Sequence, residues 1–313
     1  MKVLALAGGV GGAKLAAGLE AVVPSGDLSV VVNTADDFDL WGLHICPDLD
    51  TVMYTLAGIA SPETGWGIMN ESFDALEMLA RYGEDIWFKL GDKDLATHVI
   101  RTARLRAGES LTGITADLSA ALGVRSAILP MCDELVATVL DAPDGPLEFQ
   151  EYFVRRRQRD EVLGVRLRGV DNARPTDAVL ETLAGADIVI FCPSNPVVSI
   201  GPILAVPGMR EALTSSPAPR IAVSPIVGGR ALKGPADRML ASLGHEVSAA
   251  GVARMYEGLV DGMVIDEVDE GGRSGIEALG MRVFATGAIM RDAPDRVRLA
   301  REVLGFGADL VTL

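Results

Sequence analysis

The sequence predicts an α/β fold in which a doubly wound, mostly parallel sheet carries a helical insertion and a small antiparallel extension. Short β-branched runs without polar interruption are typical of parallel strands that helices cover on both faces. Helical patterns lie between these runs, and this alternation favours right-handed crossover connections. Distinctive polar or glycine-rich loops follow the runs, as expected where a sheet binds ligands beyond the carboxyl ends of its strands.

Four continuous hydrophobic runs are the predicted central strands, and they are Val3–Ala7, Leu28–Asn33, Asp187–Cys192 and Arg220–Val223. Glycines connect the first run to a helix predicted over Ala13–Ala21, and further helices are predicted over Pro175–Ala184 and Ile203–Leu213. The loops that follow the strands are GGVGGAK, NTADDFD, PSNPVVSIG and SPIVGG. In a doubly wound sheet these four loops should converge on one crevice.

A single domain is predicted for residues 1–313, with its core in residues 1–57 and 125–313. Residues 58–124 are rich in helical patterns punctuated by glycine, which predicts a helical cap over the crevice. The segments Ala127–Leu140 and Leu147–Val154 have strand patterns and are assigned to the antiparallel extension.

The composition excludes several classes of protein. Of 313 residues, 49% are hydrophobic and 23% charged, which indicates a globular chain. Lys and Arg number 28 against 43 Asp and Glu, and the resulting net charge of −15 disfavours binding to nucleic acid. The same field repels a phosphorylated substrate. Binding one therefore requires concentrated donors, a helix terminus or a bound cation, so a divalent metal is expected.

The sequence also indicates the cellular location and the state of the cysteines. The chain has no signal-peptide pattern and no apolar run of about 18 residues, the length that spans a bilayer, so we expect a cytoplasmic protein without a membrane partner. Cys46, Cys132 and Cys192 lie far apart without a C-x-x-C pattern. They indicate neither a disulfide framework nor a zinc site.

The glycine loop between the first strand and the first helix is a candidate anion site. Backbone N–H groups and a helix N-terminus face an anion in such turns, so Gly9, Gly11 and Gly12 are candidate substrate-binding residues. The loop matches neither G-x-G-x-x-G, because Lys14 takes the third glycine position, nor G-x-x-x-x-G-K-[ST]. The alternative is a tight turn that needs glycine only for packing.

An acidic segment, NTADDFDLWGLHICPDLDT, follows the second strand and begins at Asn33, itself a candidate substrate-binding residue. Carboxylates suit Mg²⁺, which keeps waters and completes its shell with substrate phosphate. Asp37, Asp48 and Asp50 are the candidate metal ligands. The alternative for Asp48 or Asp50 is an ordinary helix cap.

Two other segments carry candidate substrate contacts. Ser194 and Asn195, in PSNP, can donate to a phosphate, although a turn held by its own side chains is the alternative. Trp87 and Lys89, in WFKLGDKD, can stack on a flat heteroaromatic ligand and donate to it. Packing of a hydrophobic cap on the core is the alternative there.

The sequence contains no recognisable nucleophile paired with a base. No G-x-S-x-G occurs, and no histidines are spaced as a metal-binding pair. Phosphate loops and acids for Mg²⁺ without a covalent nucleophile are typical of phosphoryl-type transfer, which depends on positioning and charge neutralisation.

Taken together, these segments resemble the 2-phospho-L-lactate transferase family of deazaflavin coenzyme F-420 biosynthesis. The resemblance runs through AGGVGGAKL, VVNTADDFDLWGLHICPDLDTVMYTLAG, GWGIMNES, WFKLGDKDLATH, PSNPVVSIGPIL and SPIVGG. It implies attack by the ribityl hydroxyl of the deazaflavin Fo on a phosphorus of a guanosine-diphospho-linked lactate or enolpyruvate, with release of GMP. It also implies Mg²⁺, a Rossmann-like core and a homodimer.

The resemblance carries residue roles as well. It places Asp50 and Lys89 against Fo, and we expect Asp50 to orient the attacking hydroxyl and accept its proton. The glycine loop, Ser194 and Asn195 would hold the diphosphate and guanosine.

Two other functions compete with this interpretation. A looser likeness in the glycine loop and PSNP extends to the gluconeogenesis-factor family, which implies a sugar-nucleotide-binding regulatory protein. A nicotinamide oxidoreductase would use Asp36 on the ribose, but the mismatched glycine fingerprint disfavours it.

Overall fold

The structure confirms the predicted fold class. The computed structural model describes residues 1–311, with a seven-stranded parallel sheet at the centre and small antiparallel sheets beside it. The strands are β1 (Val3–Ala7), β2 (Leu28–Val32), β3 (Phe38–Leu40), β4 (Leu43–Ile45), β5 (Ala127–Pro130), β6 (Ala137–Ala142), β7 (Gly145–Glu148), β8 (Gly164–Arg168), β9 (Ile188–Phe191), β10 (Arg220–Val223), β11 (Ile226–Val227), β12 (Arg230–Ala231), β13 (Gly262–Ile265) and β14 (Arg282–Ala285).

The helices lie mostly between these strands. They are α1 (Gly9–Val22), α2 (Pro47–Leu56), α3 (Asp74–Arg81), α4 (Asp92–Arg106), α5 (Leu111–Ala121), α6 (Asp177–Ala184), α7 (Ile200–Ala205), α8 (Met209–Ser215), α9 (Ala236–Ser242), α10 (Ala249–Met255), α11 (Arg273–Glu277) and α12 (Ala293–Val311). Within the described residues, no helix has both the length and the apolar character needed to cross a membrane.

The order of the central sheet is β14-β13-β10-β9-β1-β2-β5, and all of its pairings are parallel. The chain runs outward from β1 through β2 to β5, then returns to β9 on the other side of β1 and continues outward. The strand order therefore reverses between β1 and β9. In such sheets this switch point opens a crevice at the carboxyl ends of the strands.

Helices cover both faces of the sheet, so its central strands are buried throughout. Leu4 and Leu6 of β1 pack with apolar residues of α6, α7, α8 and α10. Val3 and Ala5, which point to the opposite face, pack with residues of α1, α2 and α12. Burial on both faces explains why these strands appear in the sequence as unbroken hydrophobic runs rather than as alternating patterns.

All four predicted central strands are present, but several predicted bounds were wrong. The first helix begins at Gly9 rather than at Ala13, so the glycines form its first turn. The helix predicted over Ile203–Leu213 is two helices, α7 and α8, because the chain turns at Pro207 and at Gly208, whose φ is +89°.

The antiparallel extension also differs in detail from the prediction. β5 is an edge strand of the parallel sheet, paired with β2, whereas β6 forms a three-stranded antiparallel sheet with β7 and β8. The strand predicted over Leu147–Val154 ends at Glu148 and is followed by a π-helical turn over Glu151–Arg155. Residues 58–124 contain α3, α4 and α5. Their action as a cap stays a prediction.

Close packing of α1 on α12 generates the first test. A Cβ at Gly18 of α1 would lie 2.2 Å from the backbone oxygen of Arg296 in α12. We expect Gly18→Ala to lower the free energy of unfolding by about 1–3 kcal/mol, because the helices must separate. Urea denaturation measures this change.

Gly305→Ala is the matched control. Gly305 also lies within a helix, but a Cβ there would meet nothing within 4 Å. Alanine has the higher helix propensity, so this variant should gain up to about 1 kcal/mol. Equal effects of the two substitutions would contradict the packing argument.

Candidate active site

A cavity of about 630 Å³ lies where the loops after β1, β2, β9 and β10 meet, as the sequence predicts. Residues from the helical segment 58–124 complete its wall. The predicted site residues that line it are Gly9, Gly11, Asp48, Asp50, Trp87, Lys89, Ser194 and Asn195. Gly12, Asn33 and Asp37, all within the described residues, do not line it.

The glycine loop makes room mainly for a neighbouring loop. A Cβ at Gly11 would lie 2.3 Å from the backbone oxygen of Pro193, and one at Gly12 would lie 2.5 Å from Oγ of Ser194. The hydroxyl of Ser194 accepts from the N–H of Gly8 at 3.1 Å and donates to its carbonyl oxygen at 2.8 Å. Gly12 and Ser194 therefore hold two loops together, which was the alternative that the sequence left open.

Asn33 donates hydrogen bonds to two of the acidic residues from a position that does not line the cavity. Its side chain is fully buried, and Nδ2 donates to Oδ2 of Asp36 at 3.1 Å and to Oδ2 of Asp48 at 3.0 Å. Its Oδ1 accepts from the N–H of Ala35. The amide of Asn33 is therefore committed to the protein in this structure, and its part as a substrate contact stays a prediction.

Asp36 and Asp48 form a buried pair of carboxylates at the cavity wall. Burial raises the pKa of Asp48 to about 6, against the effect of hydrogen bonds from Asn33 and from the N–H of Gly9. Burial and the charge of Asp48 raise the pKa of Asp36 well above its ordinary value. Oδ1 of Asp36 has no hydrogen-bond partner. Two adjacent carboxylates with raised pKa values and an unpaired oxygen fit a hard divalent cation.

Asp50 is held by an arginine that the sequence did not single out. Nη1 of Arg101, from α4, donates to Oδ2 of Asp50 at 3.0 Å, and Nη2 donates to Oδ1. Both side chains are almost fully buried. This bidentate ion pair fixes the orientation of the carboxylate. It also provides Asp50 with a counter-ion, so the site offers less reason to place a metal there than at Asp36 and Asp48.

Three further polar side chains of the cavity wall surround Asp50. His98 lies with Nδ1 3.7 Å from Oδ2 of Asp50 and with Nε2 3.2 Å from Oδ1 of Asp94. The hydroxyl of Tyr54 donates to the same oxygen of Asp94 at 2.6 Å. Asp50, His98 and Asp94 thus form one buried network with Arg101.

Asp37, the third predicted metal ligand, lies apart from this network. Its carboxylate faces His44 and Cys46 rather than the cavity. Asp36 lies in a turn that the N–H of Asp37 closes by donating to the carbonyl oxygen of Thr34 at 3.3 Å, and the two side chains reach different environments. The sequence could not show which of the two faces the cavity.

An aromatic cluster forms the wall next to Lys89. The rings of Phe38, Trp87 and Phe88 lie with their centroids 4.9–5.9 Å apart, and Trp87 and Phe88 line the cavity. Lys89 is exposed and lines the same region. This wall offers the flat apolar surface and the cationic donor that the sequence predicts for a heteroaromatic ligand.

Sequence analysis missed Lys14 and Lys233, which also line the cavity. Nζ of Lys14 donates to the carbonyl oxygen of Met290 at 2.9 Å, and Nζ of Lys233 donates to that of Thr64 at 2.8 Å. Burial lowers the pKa of Lys14, and the charges of Arg296 and Lys233 add to this effect. Among the described residues, neither ammonium has a carboxylate within 4.0 Å. The position of Lys14 two residues after Gly12 was the available signal.

The fold and the cavity define a Rossmann-like α/β protein whose main cavity among the described residues lies at the switch point of the sheet. The family model described as 2-phospho-L-lactate transferase CofD matches residues 3–276. The chain belongs to this family of transferases.

Named relatives cover nearly the whole chain. A phosphoenolpyruvate transferase of Streptomyces griseus is 45% identical over 316 residues, covering 99% of each chain. A 2-phospho-L-lactate transferase of Methanosarcina acetivorans is 40% identical over 301 residues, covering 96% of this chain and 97% of its own. A crystal structure of a UPF0052 family member from Bacillus halodurans shares the fold, with a TM-score of 0.67 at 16% identity, covering 97% of this chain and 98% of its own.

The raised pKa of Asp48 predicts how stability depends on pH. An unfolded aspartate has a pKa of about 3.9, so the contribution of Asp48 is fully present below that pH and is lost as pH rises through about 6. Without divalent metal, the free energy of unfolding should fall over this interval by on the order of 3 kcal/mol. Asp48→Asn should flatten the fall in urea denaturation with chelator.

The exposed Asp144 provides the control. Asp144→Asn should leave the pH dependence of the wild type in place, because a solvated carboxylate has nearly the same surroundings in both states. A full fall in the Asp48→Asn variant would contradict the assignment.

Proposed function

We propose that this transferase moves a phosphoenolpyruvyl or 2-phospho-L-lactyl group from a guanosine-diphospho-linked donor to the ribityl hydroxyl of Fo, releasing GMP. We place it in coenzyme F-420 biosynthesis, acting in the cytoplasm as a homodimer. The supporting observation is the cavity, where a buried acid pair and two lysines without acidic partners occur together. A chain of net charge −15 repels a polyphosphate. The acid pair can hold a metal ion, and the two lysines can contact the phosphate that the ion accompanies.

Mg²⁺ is the proposed cofactor, and the residues fit it. Asp36 and Asp48 would hold it, because both offer hard oxygen ligands and Oδ1 of Asp36 has no other partner. Of the other members of the predicted set, Asp50 is paired with the guanidinium of Arg101, and Asp37 lies next to the imidazole of His44. When bound, the ion supplies charge neutralisation for the transferring phosphoryl group.

Asp50 is proposed to act on the attacking hydroxyl. Arg101 holds both of its oxygens in place, and each oxygen keeps a lone pair that can accept a hydrogen bond from the hydroxyl. The carboxylate orients the nucleophile and accepts its proton as the new ester bond forms. No covalent enzyme intermediate is needed, because the hydroxyl attacks phosphorus directly and GMP leaves.

The two substrates are proposed to take opposite parts of the cavity. Fo stacks at Trp87 and contacts Lys89, next to the aromatic cluster. The donor diphosphate lies by Gly9 and Gly11, with Lys14 and Lys233 as its charged contacts and Asn195 nearby. This differs from the sequence interpretation, since Gly12 and the hydroxyl of Ser194 are committed to packing.

The identities of the named relatives rank the two candidate donors. Relatives named phosphoenolpyruvate transferase reach 45% identity, and those named 2-phospho-L-lactate transferase reach 40%. We therefore take the enolpyruvyl donor as the first to test. The sugar-nucleotide-binding alternative has no comparable support, because the relatives named above are transferases.

Product analysis tests the function. The protein is incubated with Fo, Mg²⁺ and each guanylylated donor, and the products are identified by mass. We expect GMP together with the dehydro product from the enolpyruvyl donor or the saturated product from the lactyl donor. Absence of both products, with thermal stabilisation by UDP-sugars but not by Fo or GMP, would support the regulatory alternative.

Asp50→Asn tests the catalytic assignment in the same assay. We expect kcat to fall by about 10²–10⁴-fold, because the amide can still accept from Arg101 but cannot accept the proton. The melting temperature and Fo binding, followed by fluorescence, separate lost chemistry from lost folding. Full turnover by this variant would contradict the assignment of Asp50 as the proton acceptor.

Lysine substitutions test the placement of the substrates. Lys14→Met and Lys233→Met should raise the KM of the donor by about 10–100-fold, since a hydrogen bond to a charged group contributes about 1.5–3 kcal/mol. The KM of Fo should change little. Lys89→Met is the matched control and should show the reverse pattern. Equal effects on both KM values in all three variants would contradict the placement.

A further inference from the structure

A second cluster of metal-ligating side chains lies outside the cavity. Asp37 follows β2, His44 lies in β4, and Cys46 directly precedes α2. The β3–β4 hairpin folds this segment back on itself, pairing Phe38 with Ile45. One ligand atom from each of Asp37, His44 and Cys46 then lies within 4.8 Å of the other two. The cluster is nearly enclosed, since the side chains of Asp37 and His44 are 6% and 12% exposed and Cys46 is buried.

Some ligand atoms of this cluster have no hydrogen-bond partner within the described part of the protein. Nε2 of His44 lies 3.7 Å from Oδ2 of Asp37, which is longer than a hydrogen bond. Oδ1 of Asp37 is buried and has no hydrogen-bond partner. The thiol of Cys46 is free of any disulfide. A buried carboxylate oxygen without a partner is uncommon in folded proteins and points to a missing ligand.

The other ring nitrogen of His44, Nδ1, has a partner that fixes the orientation of the ring. Nδ1 of His44 lies 3.0 Å from Oδ1 of Asp39, so the ring donates its Nδ1–H to that carboxylate. This bond leaves the lone pair on Nε2, directed towards Asp37. A carboxylate that holds the outer nitrogen of a histidine is the usual second partner of a metal-binding imidazole.

We propose that Asp37, His44 and Cys46 bind a divalent cation of the zinc or cobalt type, through a carboxylate oxygen, Nε2 and Sγ. On binding, the Cys46 thiol releases its proton to solvent and forms a metal–sulfur bond. The thiolate and the carboxylate then balance the charge of the cation. Bond lengths of about 2.0–2.3 Å to such ions place neighbouring ligand atoms roughly 3.3–3.5 Å apart, so the triangle contracts slightly.

The ligand chemistry separates this site from the proposed Mg²⁺ site. Asp36 and Asp48 offer only oxygen, which hard cations prefer, whereas thiolate and imidazole select softer ions. The position also gives the bound ion a role. It would tie the loop that carries Asp36 to the start of α2, which carries Asp48 and Asp50, and so hold the acid pair in place.

Cobalt spectroscopy of the full-length protein tests the site. The protein is stripped with a chelator and titrated with Co²⁺. We expect one equivalent to give a thiolate-to-metal charge-transfer band in the near ultraviolet with the strong visible bands of a tetrahedral ion, a water molecule being the fourth ligand. Cys46→Ser should abolish the near-ultraviolet band. Serine is a preferred residue before a helix, so this variant is compatible with the start of α2.

Two further variants complete the experiment. His44→Gln, at a partly exposed position, should weaken Co²⁺ binding by at least about tenfold, and it provides a test if Cys46→Ser does not fold. Cys192 is a buried cysteine directly after β9, and Cys192→Ala should keep the wild-type spectrum.

The outcomes are distinct. Loss of the band in Cys46→Ser, or weakened binding in His44→Gln, with retention in Cys192→Ala supports the site. A wild-type protein without a charge-transfer band, or one with only the weak visible bands of oxygen ligation, overturns it. The spectrum requires no transfer reaction, so this result is independent of the proposed function.

Discussion

The buried amide of Asn33 connects the segments that form the site. Its Nδ2 donates to Asp36 in the loop after β2, to Asp48 at the start of α2 and to the carbonyl oxygen of Val198 after β9. Two carboxylates buried side by side are unfavourable without donors, and this amide supplies the same donor group to both. The geometry of the acid pair therefore depends on one side chain that never reaches the ligand.

Charge is distributed unevenly around the cavity. The acid pair lies against the N-terminus of α1, where the backbone N–H of Gly9 lowers the pKa of Asp48 against the larger effect of burial. A carboxylate of the protein thus lies at the same helix N-terminus as the position proposed for the donor diphosphate, by Gly9 and Gly11. Lys14 and Lys233 are the cationic groups left for an anionic ligand, since their contacts within the described residues are to carbonyl oxygens. The arrangement favours a ligand that brings a cation to one side and negative charge to the other.

The helical segment 58–124 supplies polar side chains to the cavity. Arg101 of α4 donates hydrogen bonds to both carboxylate oxygens of Asp50. His98 of the same helix lies between Asp50 and Asp94. A carboxylate on α2 is therefore oriented by a guanidinium from the insertion. Breaking a buried pair of this kind is strongly destabilising, because it leaves an uncompensated charge. The position of α4 and the orientation of Asp50 are thus coupled.

The sequence by itself determined the α/β class, the four central strands and the meeting of their loops, because hydrophobic period and strand polarity are local properties that the parallel sheet converts into position. It also indicated Asp48, Asp50, Trp87 and Lys89, all of which line the cavity. Only the tertiary structure decided that Asp36 rather than Asp37 faces the cavity, and that Arg101 holds Asp50. It also decided that Gly12 and Ser194 serve packing. These outcomes depend on contacts between residues as far as 51 and 186 positions apart, and residue types alone do not reveal which distant partners will satisfy a buried polar group.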